Sequence, residues 1–508
     1  MKTISKSEYL NKVKGCWFGK NAGGTLGAPF ESVRTAEDVE FYTHDLSLGA
    51  LPNDDLDLQL AWLNAAEKHG KCVDSKILAE YWITAVTPNW AEYGMAKTNL
   101  RLGLQPPLSG AYKNRFKDSN GAWIRSEIWA CLAPGHPEIA AHYAYEDAIV
   151  DHADEGVYAE VFTAAIESAA FVEKDVYKLI DIGFSYIPKD CDIAKAAKLV
   201  ISAYKEGLSW KEARIKLLRE IPDSFGQQRH NSTNPDNFPE AEWGYDAPAN
   251  IGLVILGVLY GEGDFGKSIC ITAGCGEDGD CTAATVGALL GIMIGADNLP
   301  QKWLEPIGEE IKTCSLNVNS SSVKIPKTIT ELTNRTCKIM PAFMHEHFDM
   351  FSVDAEISVN EGDELYDIPR DEWMLKPIIF KDTYPETFFT LTDKTAIMKI
   401  EVGAPDGIGV REGDVKKLKI HAENLSGFVG SYLWLQLSWN LPEGWSIDKG
   451  DKMNLLLEQY HCGSGNAYAE VEVTVGKITE PVTTIGLEIS AHDRVDRAYI
   501  PVQFVCEA

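Results

Sequence analysis

The sequence predicts a two-part protein: an all-α domain over residues 1–348 and an all-β sandwich over 349–508. Three observations carry that reading. The chain has 508 residues, more than one compact core ordinarily accommodates. Up to about residue 345, apolar residues recur at three- and four-residue spacing. Beyond residue 350, short runs rich in β-branched and aromatic residues alternate with turn clusters.

The helical period is clearest in Leu56–His69, Ile77–Val86, Ile139–Tyr145, Tyr158–Val172, Ile193–Tyr204 and Trp210–Leu218. Loops with Pro, Gly, Asn and Asp separate these stretches, among them Asp223–Pro248 with its His230-Asn-Ser-Thr-Asn-Pro segment. No alternating strand of any length is expected before about residue 350. A helix around Lys327–Lys338 precedes a boundary near His345–Asp354. Strands are expected over Ala396–Val402, Lys416–Ala422, Tyr432–Trp439, Tyr468–Val475, Thr484–Ser490 and Arg497–Val505. Ala404-Pro-Asp-Gly and Leu441-Pro-Glu-Gly supply turns between them. Trp434, Trp439 and Trp445 could stack on a sugar, but core packing is the commoner role of such residues.

The chain carries 47 Lys and Arg against 75 Asp and Glu, a formal charge of −28. Such a surface offers nothing to neutralise phosphates, so neither nucleic acid nor an anionic membrane is expected as a partner. The eleven cysteines are scattered; no CxxC pair or Cys/His cluster has zinc spacing. No signal-peptide core or long apolar run is apparent. These features predict a reduced, soluble, cytoplasmic protein in which the Asn319-Ser-Ser sequon is without meaning. They do not specify an oligomeric state.

Three segments concentrate acidic residues beside glycines or helix starts. In Gly15-Cys-Trp-Phe-Gly-Lys-Asn-Ala-Gly-Gly-Thr-Leu-Gly-Ala-Pro-Phe-Glu31, glycines recur at 15, 19, 23 and 27. On a helix they share one face, which permits close helix–helix approach. A phosphate-cradling loop is not expected, because Asn21 follows Gly19-Lys20. Glu31 falls in a loop just beyond. In Asn53-Asp-Asp-Leu-Asp57, one residue would suffice as an N-cap. Four polar residues together imply either mutual repulsion or a bound cation. In Gly276-Glu-Asp-Gly-Asp-Cys281, the cluster of Glu277, Asp278 and Asp280 opens a helix that is apolar all round and therefore buried. Buried carboxylates need partners, and a divalent cation with oxygen ligands is the simplest one. His152 more readily orders a loop than does chemistry. Arg125 is expected to pair internally with Glu127 or Glu138.

With these residues in view, the chain resembles the ADP-ribosylglycohydrolase family over about residues 10–340. The resemblance rests on Gly27-Ala-Pro-Phe-Glu31, on Asn53-Asp54-Asp55 and on Gly276-Glu-Asp278-Gly-Asp280-Cys281. Asn120-Gly-Ala-Trp-Ile-Arg125, Ala133-Pro-Gly-His-Pro-Glu138, Asp151-His152, Asn250 and Leu259–Phe265 match more weakly and in order. It implies an all-helical domain holding two Mg²⁺ (or Mn²⁺) ions. Asn53, Asp54, Asp55, Asp278 and Asp280 would be ligands, with Cys281 at a ligand position. It further implies hydrolysis of an N- or O-glycosidic bond to ADP-ribose, in a small-molecule or protein-linked substrate, or to a related ribosyl or sugar compound. Glu31, Asp55 or Asp278 would serve catalysis, and Gly27, Arg125, His152 and Gly276 would lie about the substrate.

The pattern departs from the family at Leu56, Glu277, Gly279 and Cys281. A thiol is a poor Mg²⁺ ligand, and Thr282 could stand in for it. Two other functions therefore stay open: a ligand-binding protein without catalysis, and a metal-dependent phosphoester hydrolase.

Overall fold

The protein is described by a computed structural model. It describes residues 2–221, 244–317, 323–344, 355–367, 390–426, 432–459, 464–492 and 494–507. The His230 segment, the Asn319 sequon and the expected boundary at His345–Asp354 lie outside them. By its contacts the chain divides into two compact units, residues 1–97 with 109–369, and 98–108 with 370–508.

The first unit is helical. Its helices are α1 Lys6–Gly27, α2 Asp54–His69, α3 Ser75–Thr84, α4 Ala91–Arg101, α5 Leu108–Ala111, α6 Glu127–Leu132, α7 Pro137–Ala148 and α8 Asp154–Ala169. They continue with α9 Val176–Ser185, α10 Asp192–Lys205, α11 Trp210–Glu220, α12 Ala247–Gly261, α13 Phe265–Gly274, α14 Gly279–Ile294, α15 Gln301–Leu304 and α16 Ile329–Phe343. By the division above, the last residues of α4 and the first of α5 count with the second unit. Side-chain caps fix many of the starts: Ser5 accepts the Glu8 amide ahead of α1, and Ser209 and Glu212 form a capping box at α11.

The glycine face of α1 meets α14 backbone to backbone. Gly15, Gly19, Gly23 and Gly27 lie opposite Gly291, Gly287, Ala283 and Gly279, an antiparallel register in steps of four. A Cβ at Gly19 would stand 1.9 Å from the Gly287 carbonyl oxygen, and one at Gly27 would stand 2.1 Å from that of Gly279. Only glycine allows this approach. The spacing read in the sequence as a packing face is one. Both helices are almost wholly buried, yet no helix among the described residues is long and apolar enough to cross a membrane.

The structure also forms a strand where the sequence predicts none. β1 (Lys2–Ser5) pairs antiparallel with β2 (Glu356–Val359), with Ile4 opposite Ile357. Four residues with one buried side chain are too short for a visible alternation, and the partner lies at the far end of the helical sequence.

The second unit contains two five-stranded sheets. Its strands are β3 Thr390–Lys394, β4 Met398–Gly403, β5 Gly409–Val410, β6 Val415–Asn424, β7 Leu433–Asn440, β8 Ser446–Ile447, β9 Lys452–Leu457, β10 Asn466–Thr474, β11 Val482–Ala491 and β12 Arg497–Cys506. One sheet runs β3-β4-β6-β10-β8 and the other β5-β12-β11-β7-β9. All pairings are antiparallel except β5 with β12. Alternate residues point inward, including Leu418, Ile420, Leu435, Leu437, Leu487, Ile489, Ile500 and Val502, all buried. The six expected strands are present, and the short β3, β5, β8 and β9 add to them. Trp439 and Trp445 belong to this core, with Trp445 5.6 Å from Phe504 across the sheets. Trp434 instead is 55% exposed.

Two outcomes follow. Gly19→Ala should destabilise the fold by at least about 1–3 kcal/mol in urea unfolding, because the intruded atom is backbone and cannot rotate away. Trp439→Ala should cost about 3–5 kcal/mol, whereas Trp434→Ala should stay within about 0.5 kcal/mol in the same measurement.

Candidate metal centre

Helix starts build this site. Asn53 caps α2 by accepting the Asp55 amide at 2.7 Å. With that need met, Asp54 and Asp55 are available for other partners. Gly24 makes room for this cap, since a Cβ there would stand 2.7 Å from Asn53 Nδ2. Asp57 takes no part. Its carboxylate accepts the amides of Cys314 and Ser315 at 2.7 and 2.6 Å, tying α2 to that loop.

Asp278 precedes α14 and Asp280 lies in its first turn. The turn before them needs a left-handed residue at Gly276, φ +66°, where the Val33 carbonyl closes over it. Ser32 donates its amide to the Glu277 carbonyl at 2.7 Å, and Glu277 donates to Val33 at 2.8 Å. This backbone clasp places the loop of Glu31 beside the start of α14. Glu277 itself is taken up by arginines: Arg34 bonds it closely and Arg214 Nη2 reaches it at 3.1 Å. Gly27 and Gly276, expected about a substrate, thus act sterically, one under α14 and one in the turn before it.

The remaining carboxylates converge. Asn53 Nδ2 donates to Asp280 Oδ2 at 3.4 Å, and Cys281 Sγ donates to Asp55 Oδ1 at 3.3 Å. One oxygen of Asp55, one of Asp280 and Cys281 Sγ lie within 4.8 Å of one another. Tyr93 donates to Asp54 Oδ2 at 2.9 Å. Asn120 donates to Asp278 Oδ2 at 2.7 Å and is itself oriented by the Trp123 indole at 2.9 Å. Asn250 accepts the Asp278 amide at 3.3 Å.

Two expected substrate contacts lie one step behind. Arg125 is fully buried, and its guanidinium bonds Asp147 at 3.0 Å and Asp151 at 2.6 and 3.1 Å. It also sits over the Trp62 and Trp82 rings. The pairing expected with Glu127 or Glu138 is corrected. Residues two apart do not face each other on a helix, and Asp147 and Asp151 are brought in by α7 and the loop after it. Glu127 instead bonds Lys20, and Glu138 bonds His136. His152 is buried against Ser119 Oγ at 3.0 Å, while Arg125 also bonds the Gly121 carbonyl. Together they brace the Ser119–Gly121 segment that carries Asn120.

Lys20 and Tyr93 were not expected at the site. Lys20 is buried in α1, 2.8 Å from Glu127 and 3.5 Å from Asp55. The one available signal was a cation in the middle of a glycine-rich helix. Tyr93 gave none.

Electrostatics explain what the cluster can hold. Burial, then the charge of Asp280, pushes Asp54 up to about 6 and also raises Asp278. Burial also raises Asp55, against the pull of Lys20. Glu31 retains solvent exposure, yet partial burial and the charges of Asp280 and Asp54 push it up to about 7. Burial would lower Lys20, but Glu127 and Asp55 hold it above its usual range. One ammonium does not balance this many carboxylates. Asp280 Oδ1 is buried without a hydrogen-bond partner, and Asp55 Oδ2 has only the Lys20 ammonium, 3.5 Å away. Carboxylates that converge with so little compensating charge fit a divalent cation.

Residues 5–337 match a family model described as ADP-ribosylglycohydrolase. A solved structure described as an ADP-ribosylglycohydrolase-related protein complex is 17% identical, covering 67% of this chain and 99% of that one, with a TM-score of 0.41. A conjugative transposon lipoprotein from Bacteroides eggerthii DSM 20697 is 14% identical, covering 21% and 93% respectively, with a TM-score of 0.15. No curated protein matches.

Arg125→Met should cost about 3–5 kcal/mol in urea unfolding, because two buried carboxylates lose their cation. Arg125→Lys should recover only part of that, since an ammonium cannot reproduce the forked contact.

Proposed function

The chain belongs to the ADP-ribosylglycohydrolase family, and from that premise we propose a divalent-metal-dependent hydrolase of N- or O-glycosidic bonds to ADP-ribose or a closely related ribosyl compound. Membership supports glycohydrolase activity in general. The observation that carries the finer reading is the convergence of Asp54 and Asp55 at the start of α2 with Asp278 and Asp280 at the start of α14, all but Asp54 buried. Asn53, Asp54, Asp55, Asp278, Asp280 and Cys281 would hold the metal, with Mg²⁺ as the working ion and Mn²⁺ as an alternative. Such a cation supplies a template for hydroxyl oxygens and acidifies water.

The chain's own residues do the rest. Tyr93, Asn120 and Asn53 hold three of the carboxylates in fixed orientations. Glu31 lies at the exposed margin of the cluster, suited to accept a proton from attacking water. A carboxylate at the margin of the cluster, Glu31, would offset the positive charge that builds on the ribose as the bond breaks. The cation would also offset the repulsion between this acidic site and the two phosphates of ADP-ribose. ADP-ribosylated protein or a small conjugate is the expected substrate.

The test is release of ADP-ribose from arginine-linked, serine-linked and small-molecule conjugates, with Mg²⁺ and with chelator. Turnover should require the ion. Asp280→Asn should lower kcat/KM by about 100-fold or more, and Glu31→Gln should lower kcat by about 10²–10⁴-fold with little effect on metal affinity. No release from any conjugate with either ion would overturn the reading. AMP as the product would point to phosphoester cleavage instead.

A further inference from the structure

We infer that Cys281 makes one position of this centre select a thiophilic divalent cation of the Zn²⁺ class over Mg²⁺. The inference rests on the metal-dependent reading above and concerns which ion the site takes. Cys281 is buried at the first turn of α14, and its Sγ shares a 4.8 Å cluster with oxygens of Asp55 and Asp280. Asp280 is only 8% exposed, and its Oδ1 has no hydrogen-bond partner. That oxygen needs a partner the protein does not supply. The cluster therefore shows more than a thiol beside acids.

The spacing fits one ion. With metal–sulfur bonds of about 2.3 Å and metal–oxygen bonds of about 2.0–2.2 Å, tetrahedral ligands stand about 3.6 Å apart. Sγ and Asp55 Oδ1 are 3.3 Å apart, and no separation in the set exceeds 4.8 Å, so an inward shift of at most about an ångström closes it. Donor chemistry decides the preference. Mg²⁺ demands six oxygens in an octahedron and keeps its waters, whereas Zn²⁺ and its heavier relatives bind thiolate strongly. A thiol hydrogen-bonded to a carboxylate has a ready path for its proton. As the metal–sulfur bond forms, the Sγ proton is released to solvent, and the charges balance.

Lys20 sharpens the argument. Its ammonium lies 3.5 Å from Asp55, so part of that carboxylate's charge is already neutralised. With less charge left on that carboxylate, the purely ionic attraction on which Mg²⁺ depends is weaker there.

Cd²⁺ is the probe, added to the full-length, metal-stripped protein and followed by its thiolate-to-metal charge-transfer absorbance. The wild type should show a saturable band that Mg²⁺ in excess does not remove. Because other cysteines also bind Cd²⁺, the readout is the difference between wild type and Cys281→Ser. That variant should lose this band, lose at least about 10–100-fold in Cd²⁺ affinity and release about one proton fewer on binding. Cys281→Ala, folded by circular dichroism, should behave alike. Asp280→Asn should weaken the same band. Identical bands and affinities in wild type and both Cys281 variants would overturn the inference, as would ready displacement by Mg²⁺. Hydrolysis of ADP-ribose conjugates with Mg²⁺ and no such band would leave the proposed function standing and remove this inference. The band without hydrolysis would do the reverse.

Discussion

Four small residues of α1 resting on the carbonyl groups of α14 set the geometry on which the rest of the helical unit depends. With no side chain between them, the two backbones touch, and the register of one helix is fixed to the other in steps of a single turn. The same contact runs to the end of α1, where Gly27 meets Gly279. There the first turn of α14, with Asp280 and Cys281, is held against the end of the glycine helix. Gly24 admits the cap of α2 beside it. Three segments distant in sequence are thereby brought to one point. A methyl group at any of these contacts would displace an acidic helix start as well as loosen the core.

Charge is handled in two different ways inside this unit. Most buried carboxylates are matched by cations or donors of the protein itself. Arg125 takes Asp147 and Asp151, Arg34 and Arg214 take Glu277, Lys20 takes Glu127, and two backbone amides take Asp57. The cluster of Asp54, Asp55, Asp278 and Asp280 differs in bringing four carboxylates from two helix starts together, with Asp280 Oδ1 buried and without a hydrogen-bond partner. Amide and hydroxyl groups orient it, yet Lys20 alone offsets its charge. That imbalance is what an external cation would relieve. The bulk charge of −28 has no such local meaning, because most of it lies on solvated surface.

Much of this was legible beforehand. The helical period, the strand runs and the glycine face depend on neighbours within a few positions, so local sequence carries them. The acidic helix starts were equally visible, because four polar residues at Asn53–Asp57 exceed what a cap requires. Less legible were features whose partner lies far along the chain. β1 has no signal without β2. Tyr93 looks like any aromatic residue on a helix until Asp54 is beside it. Among the tryptophans of the sandwich, the inward positions of Trp439 and Trp445 and the outward one of Trp434 depend on strand register.

The sequence by itself determined the division into helical and β parts, the close approach of α1 to another helix, and the supply of carboxylates at two helix starts. Each follows from side-chain spacing, which states which face is buried without naming what buries it. Only the tertiary structure decided the membership of the site. It sent Asp57 and Glu277 to other partners, turned Arg125 and His152 into braces for Asn120, and set Lys20 and Cys281 against Asp55. Those assignments depend on which atoms meet across hundreds of residues. That meeting is fixed by the steric register of α1 on α14, a property of two backbones in contact that no local pattern contains.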